Sequence, residues 1–140
     1  MKTRLFLDTN VILDLLGERA PYYDSIAKVA SLADKEELIL VVSPISFATL
    51  NYFISKFESA QIALEKLRKF KIICEICTLD GPILEKGLNS DFKDFENALQ
   101  YFSATNSACD IIITRNGKDF KKSLLPVMNA DEYLLSISPK

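Results

Sequence analysis

Three separated stretches of this sequence carry side chains able to hold a cation and act on a phosphate: Asp8, then Asp94, Glu96 and Asn97, then Asn116 and Asp119. Crowded carboxylates repel one another and are stable as anions only around a cation, so a cluster of this kind suits Mg2+ or Mn2+. A bound divalent ion lowers the pKa of its water and offsets charge developing on a phosphate, which makes phosphodiester hydrolysis the matching chemistry. No protein nucleophile is then required, and the chain contains no histidine. That absence removes Ser-His-Asp and Cys-His catalysis, imidazole ligation and a histidine pH switch, leaving hard oxygen ligands for any metal. Each residue also has a plainer role. Asp8 can cap a following helix, Asp94 and Glu96 can answer a helix dipole, and Asn97 can belong to the same capping turn. Asn116-Gly117 is a turn signal and Asp119 a loop acid. Asp14 and Glu18 read as solvated charges on a helix face.

Positioning these groups falls to alternating strands and helices. Leu5-Phe6-Leu7 is a short apolar run stopping at Asp8, and Leu38 to Val42 is continuously apolar and branched, as a strand covered on both faces should be. Ile72 to Ile76, Ile111 to Ile113 and a short piece around Val127-Met128 complete about five strands. Between them the periodicity predicts helices: Val11 to Leu16 capped by Thr9 or Asn10 and ended at Gly17, one from Tyr22 after Pro21, one from Ile45 to about Phe57. Others carry Ile62, Ala63, Leu67 and Phe70, then a short piece ended near Gly87, then Phe95, Ala98, Leu99 and Phe102, and a terminal helix from Asp131. This order predicts an α/β fold, a three-layer α/β/α sandwich around a central parallel sheet. In such sheets the ligand crevice lies beyond the carboxyl ends of the strands, where Asp8, Asn116 and Asp119 fall.

The length, 140 residues, fits one domain spanning 1–140, and the 49% hydrophobic content suffices for a three-layer core. Net charge is −2 from 17 basic and 19 acidic residues, so contact with nucleic acid has to be local or metal-mediated. Cys74 and Cys77 form a C-x-x-C, but on a strand and its exit; with Cys109 they read as small buried hydrophobes, not a redox pair or half a zinc site. Neither a signal peptide nor a membrane-length apolar run is present, which predicts a soluble, cytoplasmic protein.

The stretches Leu7-Asp8-Thr9-Asn10-Val11-Ile12-Leu13-Asp14, Asp94-Phe95-Glu96-Asn97-Ala98-Leu99-Gln100 and Ile113-Thr114-Arg115-Asn116-Gly117-Lys118-Asp119-Phe120 together resemble a PIN domain, from end to end of the chain. PIN domains are metal-dependent ribonucleases, many of them VapC-type toxins paired with an antitoxin. The resemblance implies that Asp8 ligates the metal, with Thr9 and Asn10 supporting it. The family's second acid falls in Ser46 to Asn51, which has none; Thr49 is its equivalent and Asn51 the next. The third falls on Asn97, with Asp94 one turn earlier, and the fourth on Asn116, with Asp119 three residues on. Thr114 matches a hydroxyl residue that bonds within the site. Exchanging carboxylate for amide keeps an oxygen ligand but loses charge, which weakens Mg2+ binding. Asp8, Asp94 and Asp119, with Glu96 near, form the expected metal set; Asn97 and Asn116 would orient water or phosphate, and Arg115 and Lys118 would meet the RNA backbone.

The first reading is therefore a Mg2+- or Mn2+-dependent endoribonuclease. A second is a catalytically weakened domain that binds RNA or an antitoxin-like protein, with Tyr22, Tyr23, Tyr52, Phe53 and Phe57 as a candidate surface and a homodimer as one assembly. A phosphoacceptor of the response-regulator kind is disfavoured, because the acid pair beside the first strand is missing.

Overall fold

A computed structural model describes residues 1–139. Its sheet consists of β1 (Arg4–Leu7), β2 (Ile39–Val42), β3 (Cys74–Ile76), β4 (Ile111–Ile113) and β5 (Val127–Met128), all parallel and ordered β3-β2-β1-β4-β5. Alternation along β1 assigns the two faces. Leu5 and Leu7 point into one core with Leu40, Val42 and Ile113; Phe6 points into the other with Val41 and Ile112.

The first face is covered by α1 (Thr9–Leu16), α2 (Tyr23–Asp34), α3 (Pro44–Phe57), α4 (Ala60–Ile72) and α7 (Ala130–Ile137), which contribute Val11, Ile26, Leu50, Leu67 and Tyr133 to the core. The second face is covered by α6 (Phe95–Asn106) through Tyr101 and Ala104, with α5 (Gly81–Leu88) packed against α6. The inner strands β1, β2 and β4 are covered on both faces, which explains why they are apolar at consecutive positions.

Several local expectations are corrected. Ile72 ends α4 and is 82% exposed, so β3 begins only at Cys74; an apolar pair at a helix end looks the same as a strand start in sequence. The helix end expected near Gly87 falls at Leu88, and a Cβ on Gly87 would come 2.8 Å from Leu99 Cδ2. The residue is glycine because α5 and α6 approach closely there. Asp8, not Thr9 or Asn10, caps α1. Burial pushes the Cys74 and Cys109 thiols up to about 12 and raises Cys77 as well, so at neutral pH all three stay protonated and unreactive.

Candidate active site

The strand order reverses direction between β1 and β4, and the polar cluster sits at that switch point. The register pairs Leu7 with Ile113, so Asp8 and Thr114, each one residue past its strand, must be neighbours. Asp8 N–H donates to the Ile113 carbonyl at 3.0 Å, and the Thr114 hydroxyl donates to Asp8 Oδ2 at 2.7 Å. Asp8 Oδ1 accepts from the Thr9 backbone N–H at 2.7 Å. The Asp8 side chain is thus fixed by the strand end on one side and the start of α1 on the other.

Asp8 is only 4% exposed, and among the described residues no cation pairs with it. Burial pushes its carboxyl above the usual range, hydrogen bonds from Thr114, Gln100 and Thr9 pull it back, and the charge of Asp119 pushes it up further. An anion so placed is stabilised by neutral donors alone.

Beside it lies a second carboxylate on the first turn of α6. Glu96 Oε1 accepts from the Thr49 hydroxyl at 3.1 Å, and Oε2 from the Thr9 hydroxyl at 3.2 Å and from Gln100 Nε2 at 3.5 Å. Thr9 Oγ1 is also 2.7 Å from Ser46 Oγ on α3. Ser46, Thr49, Thr9 and Gln100 therefore form a polar floor, with Ser46 and Gln100 completely buried. Sequence reasoning passed over these two. The signal for Gln100 is a long polar side chain on the buried stripe of α6, between Leu99 and Tyr101; Ser46 offers none. Gln100 Oε1 has no hydrogen-bond partner, a buried carbonyl oxygen facing no protein donor.

The other expected residues lie outward of this floor. Asp94 is exposed and caps α6, accepting from the Asn97 backbone N–H at 2.9 Å. With Asn97, Lys118 and Asp119 it lines a cavity of about 420 Å³ at the mouth of the crevice. The Asn116 backbone N–H donates to Thr114 Oγ1 at 3.1 Å, tying the loop after β4 to the residue that holds Asp8. Asn10 lines a different groove, between α1 and α3. Asp14 is not solvated but 1% exposed, accepting from Arg115 Nε at 2.7 Å and lying 3.6 Å from Arg19 Nε. Arg115, whose guanidinium also stacks 4.1 Å from the centroid of the Tyr22 ring, is thereby committed to α1.

Among the described residues, no three Asp, Glu or Cys side chains gather closely enough to enclose a metal ion. The donor chemistry still fits one hard ion. Mg2+ keeps several waters and commonly takes only one or two carboxylates, and Asp8, within reach of the charge of Asp119, offers such a pair.

A parallel sheet covered by helices on both faces, with polar groups gathered at the strand-order reversal, defines an α/β/α domain with its crevice at that point. The family comparison makes the class specific: a model of the PIN domain matches residues 4–118, and the chain belongs to that family. It is 27% identical over 135 residues to ribonuclease VapC1 of Aquifex aeolicus (strain VF5), covering 93% of this chain and 92% of that one. Its fold is similar to VapBC2 from Rickettsia felis, solved bound to a DNA fragment from their promoter, at a TM-score of 0.70 and 20% identity, covering 91% of this chain and 98% of that one. It is also similar to VapC20 of Mycobacterium tuberculosis, a sarcin-ricin loop cleaving toxin, at a TM-score of 0.61 and 10% identity, covering 77% and 86%.

Proposed function

We propose that this protein is a divalent-metal-dependent endoribonuclease of VapC type that hydrolyses RNA phosphodiester bonds. The observation that carries the reading is Asp8: a buried carboxylate at the switch point, gripped by Thr114 and Thr9 N–H, raised further by the charge of Asp119 and given no counter-ion among the described residues. Such an anion is expensive unless a cation shares it.

Ribonucleases of this family generally use divalent metals, and Asp8 and Asp119 would hold the ion here, with Asp94 at the cavity rim as an outer carboxylate. When bound, Mg2+ or Mn2+ supplies an activated water and charge stabilisation on the phosphate. The remaining steps belong to the chain. Thr114 and the Thr9 N–H keep the Asp8 carboxylate in one orientation. Glu96, held by Thr9, Thr49 and Gln100, is the acceptor for the proton of the attacking water. Asn97 and Asn116 present amides that orient water or a phosphate oxygen. Glu96 also accounts for the missing acid of α3: Thr49 stands at that place and donates to a carboxylate that arrives from α6 instead.

The partner is proposed to be an antitoxin-like protein in the cytoplasm. A groove of about 660 Å³ between α1 and α3, lined by Leu13, Phe53, Ile54 and Phe57, suits an apolar protein segment, and Tyr52 beside it is 61% exposed. No helix among the described residues is long and apolar enough to cross a membrane. The alternative, a weakened domain that binds RNA or a protein without cutting, is favoured by the amides at positions 97 and 116 and the absence of a three-acid cluster.

Cleavage of a labelled RNA with Mn2+, compared between wild type and Asp8→Asn, separates the two. We expect cleavage lost by at least about a hundredfold in the variant, since even an outer-shell partner of a metal ligand is worth roughly ten- to a hundredfold and Asp8 would hold the ion directly. Equal activity in both rules out the assignment of Asp8, and no cleavage by the folded wild type favours the binding module.

A further inference from the structure

The cavity at the mouth of the crevice has a wall that the candidate site does not use. Four lysines line it: Lys93 before α6, and Lys118, Lys121 and Lys122 on the 3-10 turn Gly117–Phe120 and its exit. They converge for local reasons. Side chains three apart on a 3-10 turn eclipse, which aligns Lys118 with Lys121, while Phe120 between them is buried and anchors the turn against α6. Phe92, packed 5.3 Å from Tyr101 and 6.4 Å from Phe120 between ring centroids, fixes the segment carrying Lys93 on the opposite side.

These cations are only weakly answered by the protein. Among the described residues Lys93, Lys118 and Lys121 form no ion pair, and Lys122 lies 3.7 Å from Asp91 in an exposed contact of little strength. Three acids share the lining: Asp94 is engaged as the cap of α6, Asp91 meets Lys122, and Asp119 is exposed. In a chain of net charge −2, four lysines against three aspartates around one cavity, with three of those lysines in no ion pair, leave a local positive excess of the kind that guides a polyanion. Arg115, on the other side of the loop, is withdrawn into its pair with Asp14, so the field is one-sided.

We propose that this lysine-walled cavity is a phosphate-binding subsite for single-stranded RNA, through which the strand leaves the crevice over the 3-10 turn and the start of α6. Lys93, Lys121 and Lys122 bind phosphates flanking the one at Asp8, and Lys118 stands at the junction. The assignment of the strand to the site at Asp8 rests on the ribonuclease reading; the binding of RNA by the lysines does not.

The test is fluorescence anisotropy with a labelled oligouridylate in chelator, where nothing is cut, over a series of salt concentrations. Lys93→Gln, Lys121→Gln and Lys122→Gln combined should weaken binding at least about tenfold and lower the slope of log affinity against log salt by about 2, at roughly 0.7 per phosphate contact. The exposed set Lys28→Gln, Lys35→Gln and Lys56→Gln, with the same charge change, should leave both nearly unaltered. An equal loss in that control set, or no saturable binding of the oligouridylate to the wild type, overturns the proposal. Binding that depends on the lysines in a wild type that cuts no RNA with Mn2+ upholds the subsite and overturns the ribonuclease reading instead.

Discussion

Asp8 and Asp14 lie six residues apart on one segment, 4% and 1% exposed, and the protein treats their charges in opposite ways. Asp14 is met by two arginines, Arg115 at 2.7 Å and Arg19 at 3.6 Å, across α1, the loop after it and the loop after β4. Asp8 is met by a hydroxyl and backbone and amide N–H groups, with another carboxylate pressing on it. Equal burial with unequal compensation distinguishes a carboxylate that fastens the fold from one kept available for a cation. Arg115 marks the division: adjacent to Thr114, it turns away from Asp8 and serves Asp14.

The largest effect on stability should come from breaking the compensated carboxylate. Asp14→Ala leaves Arg115 without its partner against α1, and loss of one partner of a largely buried pair costs about 3 kcal/mol. Chemical denaturation should show that loss, and a variant within about 0.5 kcal/mol of wild type, the range of ordinary surface substitutions, contradicts the structural role. Asp8→Asn should do the reverse. A carboxyl whose folded pKa is raised contributes stability that is complete below its unfolded value of about 3.9 and lost as pH rises through the folded value. In chelator, the variant should therefore match wild type in acid and exceed it progressively above about pH 4. A gap that shrinks with rising pH would show that Asp8 is compensated after all.

Glu96→Gln sharpens the comparison from the side of the floor. The new amide can accept from only one of the Thr9 and Thr49 hydroxyls, which costs about 1 kcal/mol, and RNA cleavage should fall about tenfold or more if Glu96 takes the proton. Unaltered cleavage leaves Glu96 a purely structural acid. The smallest effect belongs to Glu75→Gln, at the opposite edge of the sheet. The Arg4 guanidinium bonded to Glu75 holds its carboxyl below the usual range, so the pair adds stability above the ordinary glutamate value, lost as pH falls through the lowered one. With Glu75 half-exposed, that increment is slight, and cleavage should not respond.

Much of this arrangement was legible in the sequence. β1, β2 and β4 announced themselves as consecutive branched or apolar residues because both their faces are buried, and that order implied the parallel sheet and its crevice. What failed depended on contacts between distant segments. Asp14 read as a solvated charge because its partner Arg115 lies 101 residues away, and nothing local distinguishes a helix face covered by a loop from one facing water. Gly87 marked the end of α5 to within about one residue, but the close approach of Leu99 that requires a glycine there comes from another helix and was not legible. Ser46 and Gln100 went unremarked since neither carries charge, and their importance arises only where α3 and α6 meet α1.

The central claim is that Asp8 is held as an anion awaiting a divalent cation, and calorimetric titration of Mn2+ into wild type and Asp8→Asn tests it directly. The account predicts saturable binding of about one ion by the wild type, consistent with a two-carboxylate site that keeps most of the metal's waters, and no binding by the variant. A folded wild type that takes up no Mn2+ at millimolar concentration, or an Asp8→Asn variant that binds it equally, would contradict the account.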